Sequence, residues 1–266
     1  MNRKIFVVVF IAIAFGYLYP HHVFAQHGEM DVFLDSLALR VDSYAVSDSF
    51  TVKVISENQE MDSHWQPKKV RHVEKIRHRA GDLVWEDIIR ATVFEKGQEK
   101  DITEKAREKA EKHKETAEKK HRESEKNKNK KNKKGMSLAG DDIFPFDKEK
   151  RQNFQFVFGP DTTWQGTRVI SLVAKAKIKN EKVFNGTYYI NPATLDVVGV
   201  RLHPTKNPKF VKSMDLKMGF VVLGQEKRYF LPAFVWTRVY ASLLIKKMRF
   251  IINEEFSEYK FGNEDQ

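Results

Sequence analysis

The chain contains no cysteine. That excludes a disulfide framework, a thiolate zinc site and a lipid-modified N-terminal cysteine. Also missing are a Gly-x-Ser-x-Gly elbow, a phosphate-cradling glycine loop and a His-Glu-x-x-His helix. No enzyme is expected, and no metal or cofactor. The longest apolar run, Ile5 to Tyr19, falls short of the roughly 20 residues needed to cross hydrocarbon. With Arg3 and Lys4 before it and Val23-Phe24-Ala25 after it, the run has the form of a secretory signal peptide. Residues 1–25 are therefore expected to be removed, leaving 26–266 as one domain in the periplasm of a Gram-negative cell.

Charge is present in excess, at +11 overall, but it is concentrated. Thr103 to Lys134 holds 14 Lys/Arg against 7 Glu, which with Arg3 and Lys4 leaves only +2 for the rest. This tract has no aromatic or branched aliphatic residue, so it cannot bury a face. Its first half carries Glu108–Lys112, Glu115–Lys119 and Glu118–Arg122 at i,i+4 spacing and reads as a solvated helix. Its second half, from Lys126 to Lys134, concentrates like charge and reads as disordered. Two roles fit: a solvated insertion in a surface loop, or a tether to an anionic membrane surface through Lys126, Lys128, Lys130, Lys131, Lys133 and Lys134. Nucleic acid is not expected, because no aromatics interleave the lysines.

Around the tract, periodicity indicates one helix and many strands. Phe33, Leu34, Leu37, Val41 and Tyr44 fall at helical spacing, with Asp31 as a candidate N-cap. Phe50, Val52 and Val54 alternate along a strand, and Val70–Arg79 and Leu83–Glu95 look like two more joined at Ala80-Gly81-Asp82. Beyond the tract, Asn153–Phe158, Trp164–Ala176, Lys182–Ile190, Val197–His203, Met214–Val222, Arg228–Ala233, Trp236–Leu244 and Lys246–Glu254 follow, with turns at Asn191-Pro192 and Gly224-Gln225 and a break at Pro232. One helix covers only part of about ten antiparallel strands, so the expected fold is α+β: a strongly curved, unclosed antiparallel barrel with apolar surface left for a ligand.

Phe154, Phe156, Phe158, Trp164, Tyr188, Phe220, Phe230 and Trp236 are expected to line the hollow, although each also suits ordinary core packing. His72 and His78 would share a strand face about 20 Å apart, too far to share an ion with each other or with His64. Asp141-Asp142 and Glu254-Glu255 are adjacent carboxylates, which alternate faces in a strand and are usually solvated in loops. Asn185-Gly-Thr187 matches a glycosylation pattern but reads as turn chemistry.

Tyr44 to Ser56, the pair Phe154–Phe158 with Val169–Leu172, and above all Gly186-Thr-Tyr-Tyr-Ile-Asn-Pro-Ala-Thr-Leu-Asp-Val-Val198 resemble the LolA/LolB-like family of periplasmic lipoprotein-sorting proteins. The resemblance covers roughly residues 31–95 and 144–261; the basic tract and the longer C-terminal half depart from it. It implies an unclosed barrel covered by helices, a monomeric carrier of an acyl chain, lipid or acylated protein, and no catalysis. No ligand-binding residue of the family can be matched one to one. The other class that fits is an envelope interaction protein with a self-filled core and a basic recruiting tract.

Overall fold

The computed structural model describes residues 28–45, 47–126, 143–243 and 246–262. The expected signal peptide, Lys128 to Lys134 and the Asp141-Asp142 pair lie outside these residues.

The helix expected near Asp31 is α1, residues 28–42. After it come β1 (Ser49–Met61), β2 (Pro67–Ala80), β3 (Leu83–Glu95), β4 (Gln98–Asp101) and α2 (Thr103–Lys126). Past the undescribed segment, a short α3 (Lys148–Arg151) leads into β5 (Phe154–Phe158), β6 (Thr162–Trp164), β7 (Thr167–Ala176), β8 (Phe184–Ile190), β9 (Val197–Pro204), β10 (Val211–Leu223), β11 (Tyr229–Leu243) and β12 (Lys246–Phe261). The strands form one antiparallel sheet in the order β4-β3-β2-β1-β12-β11-β10-β9-β8-β7-β5, with β6 pairing β7 off that path. The C-terminal strand therefore joins the N-terminal hairpins to the later meander. The sheet curls without closing, leaving β4 and β5 as its edges.

Register shows which residues share a face. Tyr188, Val200, Met218, Val235, Glu254, Ser56, Val73 and Ala91 stand opposite one another in turn from β8 to β3. This is the helix face. Leu34 and Leu37 of α1 are buried against it, together with Leu172, Tyr188, Ile190, Val200, Leu202, Met218 and Phe220. Each such side chain contributes about 1.5–3 kcal/mol by leaving water. Phe144 and Phe146, just before α3, are packed into the same layer. Asp196 fastens α1 to the β8–β9 turn: Arg40 Nε and the Tyr44 hydroxyl each donate to Oδ1 at 2.7 Å, and Arg228 donates to Oδ2 at 2.9 Å. Burial and its bond to Asp196 push the Tyr44 hydroxyl pKa well above the ordinary tyrosine value.

Toward the other end of the sheet the helix face becomes ionic. Lys75 and Arg77 on β2 both pair with Glu86 on β3 and Glu254 on β12, at 2.8–3.4 Å. Burial pushes the Glu86 carboxyl up, but the Lys75 and Arg77 charges and hydrogen bonds outweigh it and hold it below the usual carboxylate range.

Three local expectations are corrected. The single strand read over Trp164–Ala176 is two, because Gln165 (φ 49°) and Gly166 (φ 81°) form a two-residue hairpin turn whose positive φ values match strand twist. The break read at Pro232 is absent, and β11 runs through it. Phe220 faces Pro232 and Gly219 faces Phe234, so Ala233 is an extra residue at a bulge, where a proline without an N–H is tolerated. The Pro232 carbonyl accepts the Tyr259 hydroxyl at 2.6 Å. Among the described residues the strands number twelve rather than about ten.

The first half of the basic tract is helical, as its spacing indicates, and it has a structural task. β4 pairs only the Thr92–Glu95 end of β3, and α2 is held to the part that β4 leaves uncovered. Thr103 Oγ1 accepts from Ala91 N, and Arg107 donates to the carbonyls of Ile88 and Ile89 at 3.0 and 3.1 Å. Lys114 lies 5.9 Å from the Trp85 ring centre. α2 thus caps a strand edge that would otherwise present unpaired backbone groups.

Candidate functional site: a groove on the bare face of the sheet

The face opposite α1 is polar over its N-terminal half, and three of its cations there have acidic partners. Lys53 pairs with Glu74, His72 with Glu57, and His78 with Asp87. His64 lies beside Asp62, so each of the three histidines considered as ligands has its own carboxylate. Such exposed pairs keep the surface solvated and contribute little to stability.

Over β8 to β12 the bare face changes character. Two register rows cross it side by side. One runs Tyr189, Gly199, Gly219, Phe234, Glu255; the next runs Thr187, Arg201, Lys217, Trp236, Asn253. In the first row two glycines leave the sheet without side chains, and aromatic rings lie on the space. A Cβ at Gly199 would overlap the Trp164 indole, and one at Gly219 would overlap the Phe234 ring. Trp164 arrives from the β6–β7 hairpin and stacks on Tyr189 with centroids 4.4 Å apart and on Phe234 at 6.1 Å. Buried in this way, its indole N–H has no hydrogen-bond partner among the described residues.

The second row lines a groove of about 610 Å³, half open to solvent. Phe234 adds to its walls, as do Gly186, His203 and Asp215, while the side chains of Leu202 and Leu216, which also border it, belong to the layer under α1. Lys217 Nζ lies 5.0 Å from the Trp164 ring centre and 5.5 Å from that of Phe234, and Arg201 lies 6.0 Å from that of Tyr189. The site therefore combines an apolar wall, two cations resting on aromatic faces, and amide and hydroxyl groups from Asn253 and Thr187. Such a combination can bind.

The residues expected to line a hollow separate between the two faces. Phe154, Phe156, Tyr188, Phe220 and Phe230 lie together on the helix face, packed with α1, Phe144 and Phe146. Phe144 is within 5.6–6.2 Å, ring to ring, of Tyr188, Phe220 and Phe230, and the Tyr188 hydroxyl donates to the Ile143 carbonyl at 2.6 Å. Phe158, half exposed, meets Phe33 of α1 edge-on at 5.2 Å. Trp164 and Trp236 lie on the bare face, Trp236 in the groove itself. Lys126 is the last residue of α2, and the other lysines of the expected membrane tether lie outside the described residues. Glu254 belongs to the ionic network of the helix face and Glu255 to the bare face, as strand alternation requires. Sequence reasoning missed Arg201, Lys217, Thr187 and Asn253, which stand at the polar positions of alternating strands and carry no pattern of their own.

No family model matches the chain, and no curated protein matches its sequence. Solved structures do resemble it. One is a domain assigned to outer membrane lipoprotein sorting from Vibrio parahaemolyticus, with 8% identity and a TM-score of 0.36 over 86% of this chain and 92% of that one. Another is a LolA superfamily protein from Nitrosomonas europaea, with 8% identity and a TM-score of 0.34 over 86% and 93%. A third is a DUF1329 family protein from Desulfovibrio piger, with 10% identity and a TM-score of 0.37 over 87% and 92%.

Proposed function

We propose that this chain is a periplasmic binding protein that takes up an acyl chain or similar amphiphile and releases it again, without chemistry on the ligand. The observation that carries this reading is the groove of about 610 Å³ across β8–β12, with Phe234 and Trp236 as its aromatic wall. Its volume is within the range of small-molecule sites, roughly 300–1,000 Å³. Apolar ligand surface laid against these side chains would be favoured by about 25 cal/mol per Å². A half-open groove suits reversible binding, since the ligand can leave without unfolding of the sheet. The proposed seat is not the hollow expected from sequence, because α1, Phe144 and Phe146 are packed on that side. Export through a cleaved segment over residues 1–25 would place the protein in the compartment where acyl cargo travels between membranes. No helix among the described residues is long and apolar enough to cross a membrane.

Native mass spectrometry of the purified protein, followed by organic extraction, tests the proposal. A bound lipid in the native spectrum, or saturable uptake of a fluorescent fatty acid, is expected. A clean unliganded mass with no uptake would favour the alternative of an envelope interaction protein, for which the packed helix face is the supporting observation.

A further inference from the structure

Arg201 and Lys217 are cross-strand neighbours: β9 and β10 place them directly opposite each other on the bare face. Opposite residues in antiparallel strands hold their Cβ atoms about 4.5–5.5 Å apart, and like charges in that relation destabilise the sheet. Among the described residues, no carboxylate forms an ion pair with either one. This contrasts with the N-terminal half of the same face, where Lys53, His72 and His78 each have an acidic partner. Two carboxylates are nearby. Asp215 lines the groove but stands opposite Arg238 on β11, and Glu255 stands opposite Phe234 and accepts from the Asn253 amide at 3.5 Å. Neither neutralises the pair.

The surroundings of the two cations fit a ligand. The Lys217 ammonium lies over the Trp164 and Phe234 rings at the lining of the groove. Thr187 and Asn253, at the two ends of the same row, supply neutral hydrogen-bonding groups, and Trp236 stands beside Lys217 as an apolar wall. A like-charge pair costs the fold stability when empty and is relieved when an anion lies between its members.

Resting on the binding function proposed above, we propose that Arg201 and Lys217 form an anion clamp that makes this groove selective for amphiphiles with an acidic headgroup, carboxylate or phosphate, over neutral ones. The headgroup accepts from the guanidinium and the ammonium while the chain lies along Trp236 and Phe234.

The test is a fluorescence titration of the full chain with dansyl-undecanoic acid and with its methyl ester. Wild-type protein is expected to bind the acid about tenfold more tightly than the ester, the worth of one charge-assisted hydrogen bond. In Arg201→Gln and in Lys217→Gln the preference is expected to collapse to near unity through loss of acid affinity, with the urea midpoint at or above that of wild type because the like-charge pair is gone. Equal binding of acid and ester by wild type, or substitutions that weaken both alike, would overturn the clamp while leaving the binding function standing. Binding of neither probe would overturn both. Sodium phosphate added as a competitor separates a lipid headgroup from a free anion. Millimolar phosphate is expected not to displace the bound acid, and displacement would assign the pair to free anions and overturn the amphiphile reading.

Discussion

Replacing Gly199 with alanine tests the construction of the bare face with a single methyl group. The Cβ would overlap the Trp164 indole, which is only 6% exposed and stacked 4.4 Å from Tyr189. A rigid bicyclic ring in a buried site cannot swing away at little cost, so the sheet must shift or the indole must leave. Overpacking of this kind costs about 1–3 kcal/mol, and loss of the stacked pair adds about 0.5–1.5 kcal/mol. The expected loss is therefore about 2–4 kcal/mol, or a Tm lower by roughly 4–16 °C for a domain of this size. Gly28→Ala is the control: nothing lies near its Cβ, so no loss is expected. Urea unfolding followed by tryptophan emission measures both variants. The native emission of Gly199→Ala should also move to longer wavelength as Trp164 meets water. A Gly199→Ala protein with wild-type midpoint and emission would mean that the Trp164 ring does not lie on Gly199, and the groove's wall would have to be redrawn.

Other consequences are equally open to measurement. Asp196→Asn leaves Arg40 and Arg228 facing a neutral amide and should lower urea stability by about 2–3 kcal/mol, with faster hydrogen exchange in α1. Arg107→Gln removes the donors to Ile88 and Ile89, so α2 should loosen from β3 and light scattering on concentration should rise; unchanged scattering and unchanged proteolysis of α2 would show that the edge needs no cover. Glu86, held below the usual carboxylate range by Lys75 and Arg77, stabilises the fold above its unfolded pKa, and that contribution is lost as pH falls through the lower folded value. Stability should thus be steady from neutrality to about pH 5 and decline below it, and Glu86→Gln should be less stable at neutral pH with a shallower acid decline.

Much of the fold was legible because alternation and turn chemistry act locally. Phe50, Val52 and Val54 announce β1, and each is buried. Asn191-Pro192-Ala193-Thr194 announces the β8–β9 turn, where the Asn191 side chain accepts from Ala193 N and Leu195 takes a positive φ of 59°. Pro232 misled because a proline normally ends a strand, and the bulge that accommodates it depends on how β10 is registered, which no local pattern encodes. The groove was illegible for the same reason. Thr187, Arg201, Lys217, Trp236 and Asn253 span 67 positions of chain and become one row only when four strand pairings are fixed. Each of the polar members, taken alone, reads as a solvated outward residue. Trp236 was found because a large aromatic on a strand is conspicuous wherever it points.

The central claim is that an amphiphile lies along Trp236 on the face opposite α1. Quenching of tryptophan fluorescence by a brominated fatty acid, compared among wild type, Trp236→Phe and Trp85→Phe, tests it most directly. Saturable quenching in wild type and Trp85→Phe, largely lost in Trp236→Phe, is the predicted result. Quenching that persists undiminished in Trp236→Phe, or that is absent from all three proteins, would contradict it.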